Sequence, residues 1–272
     1  MASRHRFAET SRPLVFAHRG GSALAPENTL AAFEQGLSLG ADGLELDVRL
    51  TRDGHVVVHH DEYLERTTNG AGPVAACSLD DLAQLDAGYR FCRQGDFPFR
   101  GRGFSVPALT EVLARYPQAR IIIELKDGTE ALARATLEDV RKAGALHRVC
   151  FAGEDVGGLR VVRALEPGAA TSAARVEIRR ALCRAWIGWP IGKQPFQAFQ
   201  VPEVAGPIRV VSPRFVRAAH RAGLAVQVWT VDRADDMRRL LRWGVNGIIT
   251  DRPDVAVGVV REWTEKGSGL KA

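Results

Sequence analysis

The chain has 272 residues, of which 46% are hydrophobic and 25% are charged, and its formal net charge is +5. This balance excludes a disordered chain and supplies enough apolar surface for one large domain. Arginine carries most of the positive charge, but the arginines are spread among acidic residues, and this spread argues against a nucleic-acid-binding surface.

The cysteines and the apolar runs indicate the cellular compartment of the protein. Cys77, Cys92, Cys150 and Cys183 lack the short spacing of a zinc or redox motif, so we expect free thiols in a reducing cytoplasm. Residues 1–12 lack the apolar centre of a signal peptide, and no run approaches the roughly 20 apolar residues of a transmembrane helix. We therefore expect a soluble, cytoplasmic protein.

Short β-branched runs alternate with amphipathic segments along the chain, which is typical of βα units around a parallel sheet. The predicted strands are residues 14–18, 43–50, 120–126, 148–152, 169–173, 198–201, 225–230 and 247–250. Helices are predicted at 28–39, 129–143, 213–222 and 234–243. Because eight parallel strands close a barrel, the pattern predicts one domain with a TIM-type (β/α)8 fold.

Two stretches interrupt this alternation. Residues 61–106 are rich in glycine, proline and aspartate, and they predict a small cap inserted after the second strand. Residues 183–199 contain Trp186, Trp189, Phe196 and Phe199 beside glycines and prolines, and we expect this stretch to be too irregular for a helix. Its aromatic side chains either pack in the core or form an exposed apolar ledge that accepts an acyl chain.

The first predicted strand ends in His18-Arg19-Gly20. A histidine and an arginine at the carboxyl end of a barrel strand suit proton transfer and phosphate binding. We interpret Glu27 and Asn28 as shaping the start of the following helix, with Asn28 as its N-cap.

The second predicted strand carries two acids on one face. Because side chains alternate, Glu45 and Asp47 point into the barrel and the intervening leucines point outward. Asp53-Gly54 predicts a two-residue hairpin turn, which places His60 opposite Asp47 on the inward face and turns His59 away. Oxygen ligands with this spacing suit one Mg²⁺ or Ca²⁺ ion, and an internal ion pair with an arginine is the alternative.

The third predicted strand repeats the alternation. Ile122, Glu124 and Lys126 share one face, so Glu124 can complete a metal site and Lys126 can face a phosphate oxygen. An internal Glu124–Lys126 ion pair is the alternative. The residues alone therefore predict a catalytic site at the carboxyl ends of the barrel strands.

The chain resembles the glycerophosphodiester phosphodiesterase family from Leu14 to about Pro253. The motifs that carry the resemblance are His18-Arg19-Gly20, Pro26-Glu27-Asn28-Thr29, Glu45-Leu46-Asp47, His60-Asp61, Glu124-Leu125-Lys126, Val228-Trp229-Thr230 and Thr250-Asp251-Arg252-Pro253. Asp232 stands where the family has asparagine, and we interpret it as a helix-start residue without a catalytic role.

The resemblance implies a role for each inward-facing residue. Glu45, Asp47 and Glu124 bind one divalent metal ion, and His18 and His60 act as general acid and base. Arg19 and Lys126 hold the phosphate, and Trp229 forms a wall for the glycerol part of the substrate, although core packing is the alternative for this tryptophan.

The function that these features favour is hydrolysis of glycerophosphodiesters to glycerol 3-phosphate and an alcohol. A lysophospholipase D with the same chemistry, with transient contact to a membrane surface, is a second hypothesis. An isomerase or aldolase barrel would not require three inward carboxylates beside two histidines. A non-catalytic lipid- or phosphate-binding barrel is the remaining alternative, and no nucleic-acid partner is expected.

Overall fold

The computed structural model describes residues 11–268. The strands in this range are β1 (Leu14–His18), β2 (Gly43–Leu50), β3 (Val56–Val58), β4 (Arg120–Leu125), β5 (Val149–Ala152), β6 (Ala170–Thr171), β7 (Ala198–Pro202), β8 (Val204–Ala205), β9 (Ile208–Arg209), β10 (Ala225–Trp229) and β11 (Gly247–Thr250). The α-helices are α1 (Leu30–Ser38), α2 (Leu79–Ala83), α3 (Leu109–Arg115), α4 (Glu130–Lys142), α5 (Val156–Leu165), α6 (Arg175–Ile187), α7 (Pro213–Arg221), α8 (Ala234–Trp243) and α9 (Pro253–Ser268).

Eight of these strands form a parallel barrel in the order β6, β5, β4, β2, β1, β11, β10 and β7. A single bridge between Ser172 and Ala198 joins the two ends of this order. The short strand β3 pairs antiparallel with β2 outside the path, and β8 and β9 form a separate hairpin. The TIM-type (β/α)8 fold that the sequence predicts is therefore confirmed.

The predicted alternation of side chains is also confirmed. A small cluster that includes Leu14, Phe16 and Ile122 fills the barrel interior. A much larger cluster includes Leu44 and Ile121 and packs the outer faces of the strands against the helices. Because neighbouring residues of a strand point in opposite directions, this packing fixes which polar side chains face inward.

Some of the predicted helix ends and caps agree with the structure and others do not. Helix α4 matches the predicted range 129–143 to within one residue at each end, and Thr129 caps it by accepting a hydrogen bond from the Leu132 amide. Thr29, not Asn28, is the N-cap of α1, so the prediction for Asn28 is wrong. Asp232 does not cap α8 either, because its carboxylate accepts hydrogen bonds from Thr250 Oγ1 and the Asp251 amide.

The segment from 61 to 106 contains little regular structure. It holds α2 and a 3₁₀ turn at Val74–Ala76, and it packs a separate apolar cluster against Val57 of β3. Leu64, Leu82 and Val106 are buried members of this cluster. The segment thus lies beside the β2–β3 hairpin, between β3 and α3.

Residues 183–199 differ from their prediction. The first five belong to α6, which ends at Gly188 in the left-handed conformation, with a φ of 80°. Phe196 and Phe199 are buried in the core, whereas Trp186 and Trp189 are exposed.

The four cysteines are free thiols, as predicted. Within residues 11–268, no helix is both long enough and apolar enough to cross a membrane.

Candidate active site

Three acidic side chains meet at the carboxyl ends of β2 and β4. In the parallel register, Asp47 lies beside Glu124, and Glu45 lies beside His18 of β1. One carboxylate oxygen from each of Glu45, Asp47 and Glu124 falls within 4.8 Å of the other two. Neighbouring strands of a barrel therefore bring together the three acids that the sequence singled out.

The electrostatics of this cluster suit a divalent cation. Burial and the charge of Asp47 raise the pKa of both Glu45 and Glu124. Oδ1 of Asp47 is buried and has no hydrogen-bond partner, and Lys126 Nζ lies 3.4 Å from it. Because a buried carboxylate oxygen without a hydrogen bond is costly, a hard cation that binds all three acids fits this chemistry.

His18 lies beside the acids, and Asp251 forms a hydrogen bond with its ring on the side away from them. The Nδ1 atom of His18 lies 2.6 Å from Asp251 Oδ1, and its Nε2 atom lies 3.8 Å from Glu45 Oε2. Burial lowers the pKa of His18, but the charges of Glu45 and Asp251 outweigh burial and raise it to about 9. The bond to Asp251 fixes the ring so that Nε2 faces the carboxylates.

Asp251 was not assigned a role from the sequence, although it lies in one of the quoted motifs. It directly follows β11, and its amide donates to Asp232, which anchors it. No local pattern marks it, because its partner His18 is 233 residues away in the chain.

The loop after β1 brings Arg19 over the acidic cluster. Its amide donates to Glu45 Oε2 at 3.2 Å, and its Nε atom lies 3.2 Å from Asp47 Oδ2. Gly20 follows with a φ of 89°, and a Cβ atom there would lie 2.6 Å from the Cβ of Ala32. Glycine is therefore needed at this position for the loop to pack closely against α1.

Asn28 contacts the same cluster and was missed as a site residue. Its Nδ2 atom donates to Asp47 Oδ2 at 2.9 Å, and the side chain is almost fully buried. Its backbone adopts a φ of 58°, which asparagine tolerates better than most residues. Asn28 thus orients a carboxylate of the site, which accounts for its absence from the helix cap.

The hairpin after β2 forms, but its predicted register is wrong by one residue. Val58 pairs with Val48, and the His59 amide donates to the Asp47 carbonyl, so His60 is not opposite Asp47. The loop contains three residues instead of two, because Gly54 adopts a left-handed φ of 82° and Thr51 pairs with His55. Such loops are a common alternative to the two-residue turn.

His60 is connected to the cluster through a chain of ion pairs. Its Nδ1 atom lies 2.6 Å from Asp61, which also pairs with Arg66. Arg66 binds Glu27 at 2.7 Å, and Glu27 binds Arg19 at 2.9 Å. Although burial acts to raise the pKa of Glu27, the hydrogen bonds from Arg66 and the charge of Arg19 lower it to about 2.

Lys126 and Trp229 lie at the rim of the site. Lys126 Nζ is 3.1 Å from Glu124 Oε1, so the Glu124–Lys126 ion pair is present beside the cluster. Trp229 ends β10 with 37% of its surface exposed, and it lines a cavity of about 450 Å³ with Pro202 and Asp232. Its ring is therefore available at the barrel mouth and is not part of the core.

The exposed tryptophans of the 183–199 stretch lie at the other end of the barrel. The turn after α6 leads into the amino end of β7, whereas the acidic cluster lies at the carboxyl ends of β2 and β4. Trp186 and Trp189 therefore do not lie at the barrel mouth, where the acidic cluster would bind a substrate. The hypothesis that they form an acyl-chain ledge for the substrate is therefore wrong.

Comparisons with known proteins identify the family. The sequence profile of the Glycerophosphoryl diester phosphodiesterase family matches residues 18–255. A glycerophosphodiester phosphodiesterase of Caldanaerobacter subterraneus subsp. tengcongensis is 35% identical over 260 residues, which cover 92% of this chain and 99% of that protein.

Solved structures share the fold. The glycerophosphoryl diester phosphodiesterase domain of a Mycobacterium tuberculosis protein superposes with a TM-score of 0.80 at 23% identity and covers 93% of this chain and 100% of that one. An Oleispira antarctica phosphodiesterase in complex with the product sn-glycerol-3-phosphate has a TM-score of 0.73 at 25% identity. The match covers 92% of this chain and 97% of that one. The chain belongs to the glycerophosphoryl diester phosphodiesterase family.

Proposed function

We propose that this enzyme hydrolyses water-soluble glycerophosphodiesters to glycerol 3-phosphate and an alcohol, with one divalent cation held by Glu45, Asp47 and Glu124. The observation that carries the proposal is the convergence of three buried or half-buried carboxylates, among them Asp47 with an Oδ1 atom that accepts no hydrogen bond, next to the His18–Asp251 pair. The relative from Oleispira antarctica, with sn-glycerol-3-phosphate as its product, supports the same product here.

The cation would be Mg²⁺ or Ca²⁺, because both prefer oxygen ligands. When bound, it supplies positive charge that polarises the phosphoryl group of the substrate. The protein's part is to keep the acids in place, and Asn28 does this for Asp47 through its amide group. Arg19 and Lys126, both next to Asp47, would bind the phosphate oxygens that the cation leaves free.

Two histidines would divide the proton transfers. His18 presents Nε2 on the side of Glu45, and Asp251 holds the opposite ring nitrogen. His60 would serve as its counterpart, with Asp61 bound to its Nδ1 atom. One ring takes the proton of the nucleophile, which is either water or the neighbouring glycerol hydroxyl group of the substrate, and the other protonates the leaving alcohol. Attack by the glycerol hydroxyl group gives a cyclic phosphate, which water then opens to glycerol 3-phosphate. Each proton transfer contributes roughly 10²–10⁴ in rate.

We also propose that residues 61–106 act as a cap beside the barrel mouth. Arg66 supports this proposal, because it extends from the segment to bind both Asp61 and Glu27 at the site. Trp229 would close the opposite side and contact the glycerol carbons of the substrate.

The test is release of glycerol 3-phosphate from glycerophosphocholine and glycerophosphoethanolamine, with lysophosphatidylcholine as the acylated comparison. Activity should disappear in EDTA and return with Mg²⁺ or Ca²⁺, and it should favour the soluble diesters. No release with any divalent cation would contradict the proposed reaction, and faster turnover of lysophosphatidylcholine would favour a lysophospholipase D. If His60→Ala retained most of kcat, His60 would lose its proposed role.

A further inference from the structure

A cationic groove separates α6 from α7, outside the barrel and away from the acidic cluster. The groove has a volume of about 650 Å³, and it is lined by Trp189 and by Lys193, Arg214, Arg217 and Arg221. No acidic side chain lies among the residues that line it. The expectation that the arginines are spread among acidic residues is therefore wrong at this face, because the fold gathers arginines of α7 with Lys193 of the preceding turn.

The charge of this groove is not neutralised within the protein. In the described part of the chain, Lys193, Arg214, Arg217 and Arg221 form no ion pair with an acid. Elsewhere many arginines are paired, as Arg163 of the neighbouring α5 is with Glu177. Uncompensated positive charge on one face attracts anionic partners.

Large apolar side chains lie at the end of α6, and one of them, Trp189, lines the groove together with these cations. Trp186, Ile187 and Trp189 surround the end of α6 and are 49%, 62% and 65% exposed. Arg184 holds the turn in place, because its guanidinium group donates to the carbonyl oxygen of Ile191 at 2.9 Å. The turn therefore presents two indole rings and an aliphatic side chain to solvent in an ordered conformation.

We propose that this face, formed by residues 184–193 and the exposed side of α7, docks onto the surface of an anionic phospholipid bilayer. Arginine and lysine would contact the lipid phosphates, while Trp186, Ile187 and Trp189 enter the interface between head groups and acyl chains. Tryptophan prefers this interface because its ring is apolar and its N–H group is polar.

Two other occupants fit the surface less well. Single-stranded nucleic acid would use aromatic rings as stacking platforms, but the heavily exposed Ile187 has no ring on which a base could stack. A second copy of this chain in a twofold dimer would place the same uncompensated cations opposite each other. An anionic bilayer offers phosphates to the cations of the groove and an apolar interior to Trp186, Ile187 and Trp189.

Docking here fixes the orientation of the enzyme. The acidic cluster lies at the carboxyl ends of the barrel strands, whereas the turn after α6 precedes the amino end of β7. The barrel mouth would then open away from the bilayer, toward soluble substrates.

The experiment is sedimentation of the full-length protein with vesicles of phosphatidylcholine alone or of equal parts phosphatidylcholine and phosphatidylglycerol. Binding is expected only with phosphatidylglycerol, and it should weaken as salt is added. The triple variant Arg214→Gln, Arg217→Gln, Arg221→Gln should bind on the order of 100-fold more weakly, since each basic residue near such a surface contributes about fivefold.

The matched control is Arg160→Gln, Arg242→Gln, Arg261→Gln, which removes the same charge from exposed arginines of α5, α8 and α9 and should bind like the parent. Trp186→Ser with Trp189→Ser should remove the binding that persists at high salt. Thermal unfolding checks that each variant is folded, so the test does not depend on catalytic activity.

Several results would overturn the proposal. Equal losses in the two arginine variants would show that net charge alone drives adsorption. Binding to single-stranded RNA without binding to vesicles would assign the face to nucleic acid. A dimer that the Arg214, Arg217 and Arg221 substitutions dissociate, again without vesicle binding, would assign it to a second copy of the chain.

Discussion

Replacing Asp251 by asparagine removes the charge behind His18 with almost no change in shape. In the native protein, Asp251 Oδ1 lies 2.6 Å from His18 Nδ1, and both side chains are largely buried. A hydrogen bond to a charged group contributes about 1.5–3 kcal/mol, against about 1 kcal/mol for a neutral one. The difference of about 0.5–2 kcal/mol corresponds to about 2- to 30-fold, so we expect Asp251→Asn to lower kcat by that factor, with little effect on KM.

The pH profile gives a second, independent readout. Since the charge of Asp251 helps to raise the pKa of His18, its removal should move the His18 limb of the kcat profile to lower pH. Asp254→Asn is the matched control, because Asp254 pairs with Arg252 on the exposed start of α9 and should leave kcat unchanged.

A double-mutant cycle is the most direct test of whether Asp251 acts through His18. Because Asp251 is proposed to act only through His18, the variant Asp251→Asn, His18→Ala should be no slower than His18→Ala alone. Additive losses in the double variant, or an unmoved pH limb, would show that Asp251 acts on the reaction by another route.

Three further predictions concern the acidic cluster. Glu45→Gln with Asp47→Asn should abolish divalent-cation binding in calorimetry as well as turnover, and full activity would contradict the metal assignment. Asn28→Gly tolerates the positive φ but removes the amide donor, so cation affinity should fall about 10- to 100-fold by titration. Without divalent cation, thermal melts should show stability falling as pH rises from 6.5 to about 9, because native His18 and Glu45, with pKa values raised to about 9 and about 8, both lose a proton in that window. His18→Gln should make this dependence shallower, and a flat curve in the parent would contradict the raised pKa values.

The barrel and its acidic cluster were predictable because they rest on a strict local rule. Side chains of a strand alternate, so Glu45, Asp47 and Glu124 had to share the inward face once their strands were identified. Parallel pairing of β2 with β4 then placed Asp47 beside Glu124. No other information about the chain was needed for this part of the site.

The incorrect predictions arose where two local structures are close in energy. Asp53-Gly54 suits either a two-residue turn or a three-residue loop with Gly54 in the left-handed region, and the choice shifts the register by one residue. Asn28 and Thr29 are both good N-caps, and only the buried contact with Asp47 decides between them. Sequence patterns do not resolve such near ties.

Long-range contacts account for the remaining differences. Asp251 meets His18 across almost the whole chain, so neither residue indicates the other. The cationic groove is likewise built from residues of α6, the following turn and α7. The exposure of Trp186 and Trp189 also depends on a long-range arrangement, namely the position of the turn that follows α6 at the amino end of β7. The local sequence does not contain this information.

The weakly paired boundary between β6 and β7 gives the barrel a preferred place to open. Strand β6 has two residues, and one bridge between Ser172 and Ala198 joins it to β7, whereas β2 and β4 share six register pairs. Local opening with few broken hydrogen bonds costs the least free energy, so amide hydrogens along this boundary should exchange with solvent before those of β2 and β4. Strands β1 and β2, which carry His18, Glu45 and Asp47, lie in the middle of the strand order, farthest from this boundary, and β4 with Glu124 is next to them. The barrel can therefore fluctuate on one side while the side with the acidic cluster keeps its geometry.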